Sequence, residues 1–200
     1  MNFEIVFASS NLHKVQEVRN ILSSHGIIVY GLKDLNIDTG EINENGSTYY
    51  ENALIKAKEV AKLTSLPVIA DDSGLEIEAL DNKPGLYSAR YANECKGHTN
   101  AIKEILKNLI DLNNRNARFI CDVVLLNVED KPLRFEGICS GHISDGPQGE
   151  LGFGYDPIFI PDGYNESFAQ LAEKEKNQIS HRGRALKKLI TYLKINGLCR

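Results

Sequence analysis

VIADDSGLEIEALDNKPGLYSARY, residues 68–91, is the stretch that decides the fold of this chain. A short apolar run, Pro67–Ala70, predicts a buried strand, and two carboxylates, Asp71 and Asp72, follow it directly. The next run, Leu75–Leu80, alternates apolar and acidic residues, which is typical of a half-exposed strand. Two carboxylates at the end of a buried strand are costly to desolvate unless a metal ion, a cationic ligand or a Lys or Arg compensates them. The stretch therefore predicts a site that holds positive charge.

Strand and helix signals alternate on both sides of this stretch. The predicted strands are Phe3–Ala8, Ile27–Tyr30, Pro67–Ala70, Leu75–Leu80 and the hairpin pair Arg118–Asn127 and Leu133–Ile143. The predicted helices begin at caps in Ser9–Asn11, Thr48, Thr99, Ser167 and Ser180. Strand–helix–strand order followed by a hairpin predicts an α/β fold with a mixed β-sheet and flanking helices. We expect a single domain over residues 1–200, with two lobes around a central substrate cleft.

Composition excludes several classes of protein. The chain has 200 residues, and its 42% hydrophobic content supports a sizeable core. A net charge of −4 argues against a broad nucleic-acid-binding face. No apolar run reaches the length of a membrane span, and the N-terminus does not resemble a signal peptide. The cysteines form no CxxC pair, which predicts reduced thiols in a cytoplasmic protein, although a nucleophilic Cys121 is an alternative. These cysteines are Cys95, Cys121, Cys139 and Cys199.

A polar segment at the end of the first predicted strand is a candidate phosphate-binding site. It consists of Ser9, Ser10, Asn11, Leu12, His13 and Lys14. A helix N-terminus offers unpaired N–H groups and the positive end of the helix dipole, and Lys14 adds a full charge. The GxxxxGK[ST] pattern is absent, which excludes a P-loop protein. The alternative is an ordinary capped helix with a surface lysine.

An acidic set lies in the loop before the second predicted helix and at the end of the third strand. Its members are Glu41, Glu44, Glu51, Asp71 and Asp72. Carboxylate oxygens suit Mg²⁺, which keeps several waters and bridges to substrate phosphates. Neighbouring side chains on a strand point to opposite faces, so Asp71 and Asp72 are expected to have different roles. The alternative is a solvated Asp-Asp-Ser-Gly turn.

Two further segments carry candidate binding residues. GFGYDP, residues 152–157, combines glycines that let a backbone approach a ligand with aromatic rings that suit a nucleobase. Cations at the helix start near Ser180 oppose the helix dipole, which indicates a bound anion. These cations are Lys174, Lys176, His181, Arg182 and Arg184. The alternatives are a tight turn with core aromatics and a solvated basic surface. Together with the acidic set, these segments predict a site with carboxylates on one side and cations on the other. Such a site fits a metal-bound polyphosphate.

Six segments in order make the chain resemble the inosine triphosphate pyrophosphatases, a family that acts on ITP, dITP and XTP. The matching segments are SSNLHK (9–14), ENALIKA (51–57), ADDSG (70–74), PGLYSARY (84–91), GFGYDPIF (152–159) and SHRGRAL (180–186). The resemblance implies hydrolysis of these nucleotides to monophosphate and pyrophosphate, by Mg²⁺-assisted attack of water on the α-phosphorus. It also implies a homodimer and a role in keeping such nucleotides out of DNA and RNA.

The resemblance implies a role for each matching residue. Ser9 to Lys14 would hold the triphosphate together with Lys56, and Ser73 would touch the substrate. Asp72 would ligate Mg²⁺ or act as general base, and Glu44 would be the second metal carboxylate. Some members have two adjacent glutamates there, whereas this chain has Asn43, so Glu41 is a possible substitute. The base pocket would comprise Phe153, Gly154, Tyr155 and Asp156, and the residues reading the 6-oxo purine would be Lys176, His181 and Arg182.

Two other functions remain as alternatives. A pyrophosphatase of modified pyrimidine nucleotides would share the metal carboxylates but lack the SHRG segment. A nucleotide-sensing or RNA-binding module without turnover would need neither Mg²⁺ nor Asp72. The net negative charge of the chain argues against the nucleotide-sensing or RNA-binding module.

Overall fold

The computed structural model describes residues 3–199, over which the chain forms six α-helices and seven β-strands. The helices are α1 (Leu12–Ser23), α2 (Tyr49–Ala61), α3 (Ser88–Glu94), α4 (His98–Asn108), α5 (Glu173–Ile179) and α6 (His181–Ile195). The strands are β1 (Phe3–Phe7), β2 (Ile27–Gly31), β3 (Val68–Ile77), β4 (Lys83–Pro84), β5 (Asn116–Leu126), β6 (Leu133–Ile143) and β7 (Phe159–Pro161). No helix within these residues is both long enough and apolar enough to cross a bilayer.

The strands form one mixed sheet in the order β2-β1-β3-β5-β6-β7, with β4 paired to β3. Strand β1 runs parallel to both β2 and β3, with Phe3 opposite Ile27 and Val6 opposite Val68. Strands β3 and β4 are antiparallel, as are β6 and β7. Strands β5 and β6 are neighbours joined by a short connection, as a hairpin requires. The predicted mixed α/β sheet is therefore confirmed.

The described chain divides into two compact units. Unit 1 runs to Asp72, resumes over Cys121–Gly137 and again from Arg182, and unit 2 comprises Ser73–Ile120 and Ile138–His181. In unit 1, alternation along β1 sends Ile5 and Phe7 into one apolar cluster and Val6 and Ala8 into another. The first cluster includes residues of α1 and α6, and the second includes residues of α2. Unit 2 has its own core, which includes the aromatic rings of Phe119, Phe159 and Phe168.

Strand β3 differs from the prediction in a way that matters for function. It runs unbroken from Val68 to Ile77, so Asp71 and Asp72 lie inside a ten-residue strand and not at the end of a short one. Both carboxylates are buried, with 2% and 9% of their surfaces exposed. The prediction that this strand ends at Ala70 was wrong, because partners elsewhere in the chain compensate the two charges and tertiary contacts override local signals.

Two predicted helix starts also need correction. Ser167 begins a turn, in which the N–H of Gln170 donates to the Ser167 carbonyl at 2.9 Å, and helix α5 begins only at Glu173. Helix α4 starts at His98 with Gly97 as its N-cap, so Thr99 lies inside the first turn. At Ser167 the hydroxyl is engaged elsewhere, since it donates to the Gln148 carbonyl at 2.6 Å.

Candidate active site

The start of α1 in unit 1 is built by Asn11. Its Oδ1 accepts hydrogen bonds from the backbone N–H groups of His13 and Lys14, at 3.0 and 3.2 Å, which confirms the predicted cap. Ser9 supports the turn, because its Oγ accepts from the Asn11 N–H at 3.2 Å. Ser9 is half-buried, and the exposed residues are Ser10, Asn11, Leu12 and His13. Since Asn11 already satisfies two helix amides, an incoming phosphate would depend on the hydroxyls and on Lys14.

Asp71 is the centre of a buried ion cluster in unit 1. Lys14 Nζ donates to both of its oxygens at 3.1 and 3.2 Å, and Arg182 donates to Oδ2 through Nη2 and Nε at 2.9 and 3.1 Å. Arg182 also donates to Glu17 at 2.5 Å. Burial alone would raise the pKa of Asp71, but Lys14 and Arg182 outweigh it and hold that pKa well below its usual range. Asp71 is therefore a permanent anion that anchors two cations.

Asp72 has entirely different partners, as strand alternation predicts. Its Oδ2 accepts from Asn52 Nδ2 at 3.1 Å, and its Oδ1 lies 3.6 Å from Lys56 Nζ. Burial raises the pKa of Asp72, although Lys56 and Lys14 act in the opposite direction. Burial lowers the pKa of Lys56, but Asp72, Asp71 and Glu44 outweigh burial and raise it. Lys56 therefore stays charged, while the Asp72 carboxylate is the better proton acceptor of the adjacent pair.

Glu44 joins Asp72 through the same lysine. Lys56 Nζ donates to Glu44 Oε2 at 2.7 Å, so both carboxylates contact one ammonium group and a single cation can reach both. Glu41, the possible substitute, is exposed on the same loop. Mg²⁺ is commonly held by one or two carboxylates, with waters and substrate phosphates as the remaining ligands. The pair Glu44 and Asp72 fits that chemistry.

Metal binding at this pair would need further ligands from the substrate. Within residues 3–199, no group of three or more His, Cys, Asp or Glu side chains could hold a metal ion. A site with two carboxylates leaves most of an octahedral shell open, and phosphate oxygens and water suit those positions.

The GFGYDP segment in unit 2 folds around Asp156. Its Oδ2 accepts from the backbone N–H of Phe153 at 2.8 Å and from Lys176 Nζ at 2.7 Å. A Cβ at Gly152 would stand 2.2 Å from the same oxygen, and the backbone there has a φ of +71°, so both space and conformation require glycine. Lys176 Nζ lies 4.8 Å from the centroid of the Phe153 ring. Asp156 thus holds the loop and a buried ammonium group beneath a half-exposed aromatic ring.

Tyr155, predicted for the base pocket, and His181, predicted to read the 6-oxo purine, are both packed inside unit 2. Tyr155 is 4% exposed and donates its hydroxyl to the Ser88 carbonyl at 2.8 Å. His181 is 5% exposed and stacks on Phe119 with ring centroids 4.5 Å apart. Their rings therefore serve the core of unit 2. Of the remaining predicted residues, Gly154 has a φ of +69°, and Ser73 is half-buried in β3.

Arg182 has buried partners that the sequence did not indicate. We expected it to read the purine base, but its side chain is 2% exposed and its guanidinium bonds to Asp71 and Glu17. A guanidinium fork that engages two buried carboxylates is oriented by them. The structure therefore assigns Arg182 to the ion cluster of unit 1, and a contact with the base remains only an expectation.

Sequence reasoning missed Asn52 and Glu17, which hold the charged groups in place. Asn52 is 4% exposed and donates to Asp72, and Glu17 is 5% exposed and accepts from Arg182. Helical spacing could have indicated Asn52, because it precedes Lys56 by four residues and so shares its helix face. Glu17 offered a weaker signal, a carboxylate on the apolar side of α1.

One cysteine, Cys121, borders the ion cluster around Asp71. All four cysteines are free thiols, as predicted. Cys121 is fully buried, with Sγ 3.9 Å from Asp71 Oδ2, and burial raises the pKa of its thiol. A thiol that stays protonated is a poor nucleophile, which argues against the alternative of a catalytic cysteine.

Comparisons with known proteins agree over nearly the whole chain. The model of the Ham1 family matches residues 5–192. A dITP/XTP pyrophosphatase of Halalkalibacterium halodurans is 44% identical over 192 residues, which cover 95% of this chain and 98% of that relative. The dITP/XTP pyrophosphatase of Bacillus subtilis is 45% identical over 188 residues, or 93% and 94% of the two chains. The solved structure of the Staphylococcus aureus Ham1 protein aligns with a TM-score of 0.84 at 41% identity, covering 96% of this chain and 99% of that one.

Proposed function

The chain belongs to the Ham1 family and is a nucleoside triphosphate pyrophosphatase, and we propose that its substrates are dITP, XTP and ITP. It hydrolyses these non-standard purine nucleotides to the monophosphate and pyrophosphate, which keeps them out of DNA and RNA. The names of its relatives favour purine over modified pyrimidine nucleotides. They also favour an enzyme over a module that only binds nucleotides.

One observation carries the proposal for the reacting centre. Lys56 Nζ contacts both Glu44 and Asp72, so two carboxylates and an ammonium group meet at one place in unit 1. A lone carboxylate cluster would repel a triphosphate, whereas this arrangement offers a cation to the phosphate and carboxylates to a metal ion. We propose Mg²⁺ as the metal and Glu44 and Asp72 as the residues that hold it. When bound, Mg²⁺ would supply charge neutralisation on the phosphate oxygens.

The protein side chains have separable tasks in the reaction. Asp72 accepts the proton of the attacking water through Oδ1, since Asn52 holds its Oδ2 and the Asp71 carboxylate is engaged by Lys14 and Arg182. Lys56 stays protonated and offsets negative charge as it spreads over the phosphate oxygens. Lys14 is held by Asp71 at the start of α1, where it faces the triphosphate together with the hydroxyls of Ser9 and Ser10.

Base selection belongs to unit 2 in this proposal. The half-exposed ring of Phe153 stacks on the base. Asp156 fixes the Phe153 backbone, because its Oδ2 accepts a hydrogen bond from the Phe153 N–H. Lys176, held by Asp156 at 2.7 Å, lies 4.8 Å from the centroid of that ring and can donate to a 6-oxo group. A 6-amino group offers donors in place of an acceptor, so a site built this way can reject it by about 10⁴-fold.

The wider setting of the enzyme is part of the proposal. We propose that residues 1–200 act as one pyrophosphatase domain, in a homodimer, in the cytoplasm. The family resemblance supports the first two statements. The free thiols are compatible with the third, because reducing compartments keep cysteines unpaired.

The substrate proposal is tested by turnover in ¹⁸O-labelled water with Mg²⁺. We expect dITP to be cleaved about 10⁴-fold more efficiently than dATP in kcat/KM, with the label in the monophosphate, because water attacks the α-phosphorus. Comparable rates on the two nucleotides would refute the base selection. Label in orthophosphate would refute the assignment of the cleaved bond.

The metal proposal is tested by a matched pair of variants in one loop. Glu44→Gln removes the carboxylate that contacts Lys56, and Glu41→Gln removes an exposed carboxylate three residues earlier. We expect Glu44→Gln to raise the Mg²⁺ concentration for half-maximal rate by roughly tenfold or more, since losing a charged ligand costs at least about 1.4 kcal/mol. Glu41→Gln should leave it unchanged. The reverse pattern would transfer the metal role to Glu41.

A further inference from the structure

We propose that Asn52 is a positioning residue that locks the acidic loop, residues 36–48, to Asp72 and so sets the spacing between Glu44 and Asp72. The inference rests on the proposed function for its kinetic consequences. Its structural content, a tether from loop to strand through one side-chain amide, stands independently of that function.

The tether consists of two hydrogen bonds from one buried side chain. Asn52 Nδ2 donates to Asp72 Oδ2 at 3.1 Å, and Asn52 Oδ1 accepts from the backbone N–H of Gly46 at 2.8 Å. Asn52 is 4% exposed, so water competes little for either bond. Because Gly46 lies two residues after Glu44, the amide connects the loop carboxylate with the strand carboxylate.

The close approach of the loop to α2 is built into the sequence. A Cβ at Gly46 would stand 2.8 Å from Asn52 Oδ1 and 2.7 Å from the Cβ of Glu51, distances that real Cβ atoms do not show. Glu51 secures the next residue, since its Oε2 accepts from the N–H and the Oγ of Ser47 at 2.7 and 2.6 Å. The loop is therefore fixed at two successive backbone amides, those of Gly46 and Ser47. Of the two side chains that accept from these amides, Asn52 is the one that also bonds to Asp72.

A carboxamide suits both tasks at this position. It presents a donor to the carboxylate and an acceptor to the amide in one planar group. An aspartate would keep the acceptor for Gly46 but would place a second carboxylate beside Asp72. An alanine would leave both Asp72 Oδ2 and the Gly46 N–H without this partner. Asp72 Oδ1, the oxygen towards Lys56, remains available for chemistry because Oδ2 is held.

The first test measures the tether without substrate or metal. Amide hydrogen exchange at Gly46 is followed by NMR in the wild-type protein, in Asn52→Ala and in Asn52→Asp. We expect exchange at Gly46 to be roughly 5- to 150-fold faster in Asn52→Ala, since the buried hydrogen bond that holds this amide is lost, and nearly unchanged in Asn52→Asp. Unchanged exchange in Asn52→Ala would overturn the tether.

The second test measures the kinetic consequence with dITP and Mg²⁺. We expect kcat to fall roughly ten- to hundredfold in both Asn52 variants, with KM for dITP within about threefold, because Asp72 is displaced and the phosphate contacts are not. Asn45→Ala, which removes an exposed amide of the same loop, is the matched control and should keep the wild-type kcat. A kcat within twofold of wild type in Asn52→Asp would overturn the positioning role, and this variant keeps the test decisive if Asn52→Ala unfolds. Failure of the wild-type protein to cleave dITP would refute the proposed function and leave the exchange result standing.

Discussion

Replacing Arg182 by methionine should destabilise the protein far more than removing any surface arginine. The guanidinium is 2% exposed and donates to Glu17 at 2.5 Å and to Asp71 at 2.9 and 3.1 Å. Its loss takes a bonded cation away from two buried carboxylates, Glu17 and Asp71, of which Asp71 keeps Lys14 at 3.1 Å. Breaking a buried ion pair in this way costs about 3–5 kcal/mol. For a chain of this size, that loss corresponds to a fall in Tm of roughly 6–20 °C.

Urea unfolding followed by far-UV circular dichroism measures this effect, with Arg118→Met as the control. Arg118 pairs with Glu76 at 2.8 Å, but its side chain is 49% exposed, and exposed pairs contribute about 0–1 kcal/mol. Arg182→Lys should fall between the two, since lysine restores a charge but not the two-pronged geometry. If Arg182→Met lost no more stability than Arg118→Met, the assignment of Arg182 to the ion cluster would be refuted. Loss of the preference for dITP over dATP at unchanged stability would instead establish the base-reading role.

Three further predictions concern the reacting carboxylate, the base and pH. Asp72→Asn should lower kcat for dITP by roughly 10²–10⁴-fold with an unchanged circular dichroism spectrum, since it removes the base. Asp38→Asn, which changes an exposed carboxylate of the acidic loop, should have no effect. Equal rates for the two variants would exclude Asp72 as the base. Phe153→Leu should raise KM for dITP by roughly 5- to 150-fold, because a stacked base is worth about 1–3 kcal/mol, and a KM within twofold would contradict stacking. The pKa of Asp71 is lower in the folded than in the unfolded state. The contribution of Asp71 to the stability of the fold is therefore fully present above the unfolded pKa of about 3.9, and it is lost as the pH falls from there towards the folded pKa. The free energy of unfolding should therefore fall more steeply with acid in the wild type than in Asp71→Asn, and equal slopes would contradict the cluster.

Local chemistry made several parts of the fold predictable. The cap of α1 by Asn11 and the start of α2 at Thr48 depend on side chains that bond to amides two or three residues away. The separation of Asp71 from Asp72 follows from the alternation of side chains along any strand. These features need no knowledge of distant residues, and the structure contains all three.

Long-range contacts made other parts unpredictable. Strand β3 continues through Asp71 and Asp72 because Lys14, Arg182, Asn52 and Lys56 compensate the carboxylates, and Arg182 lies 111 residues away from Asp71. The helix expected at Ser167 is absent for a similar reason, since the Ser167 hydroxyl bonds to the distant Gln148 carbonyl at 2.6 Å. A turn signal predicts only what a segment prefers alone, and buried partners can reverse that preference.

The sequence by itself determined the class of fold, the family and the presence of adjacent carboxylates that need cations, because periodicity, caps and motif order are local properties. Only the tertiary structure decided which cation serves which carboxylate. In the fold, Asp71 contacts Arg182 and Lys14, which hold its pKa low and keep it charged. Asp72 instead contacts Asn52 and Lys56, and burial raises its pKa. The physical reason is that a carboxylate's pKa depends on burial and on charges within a few ångströms, and those neighbours come from segments far apart along the chain.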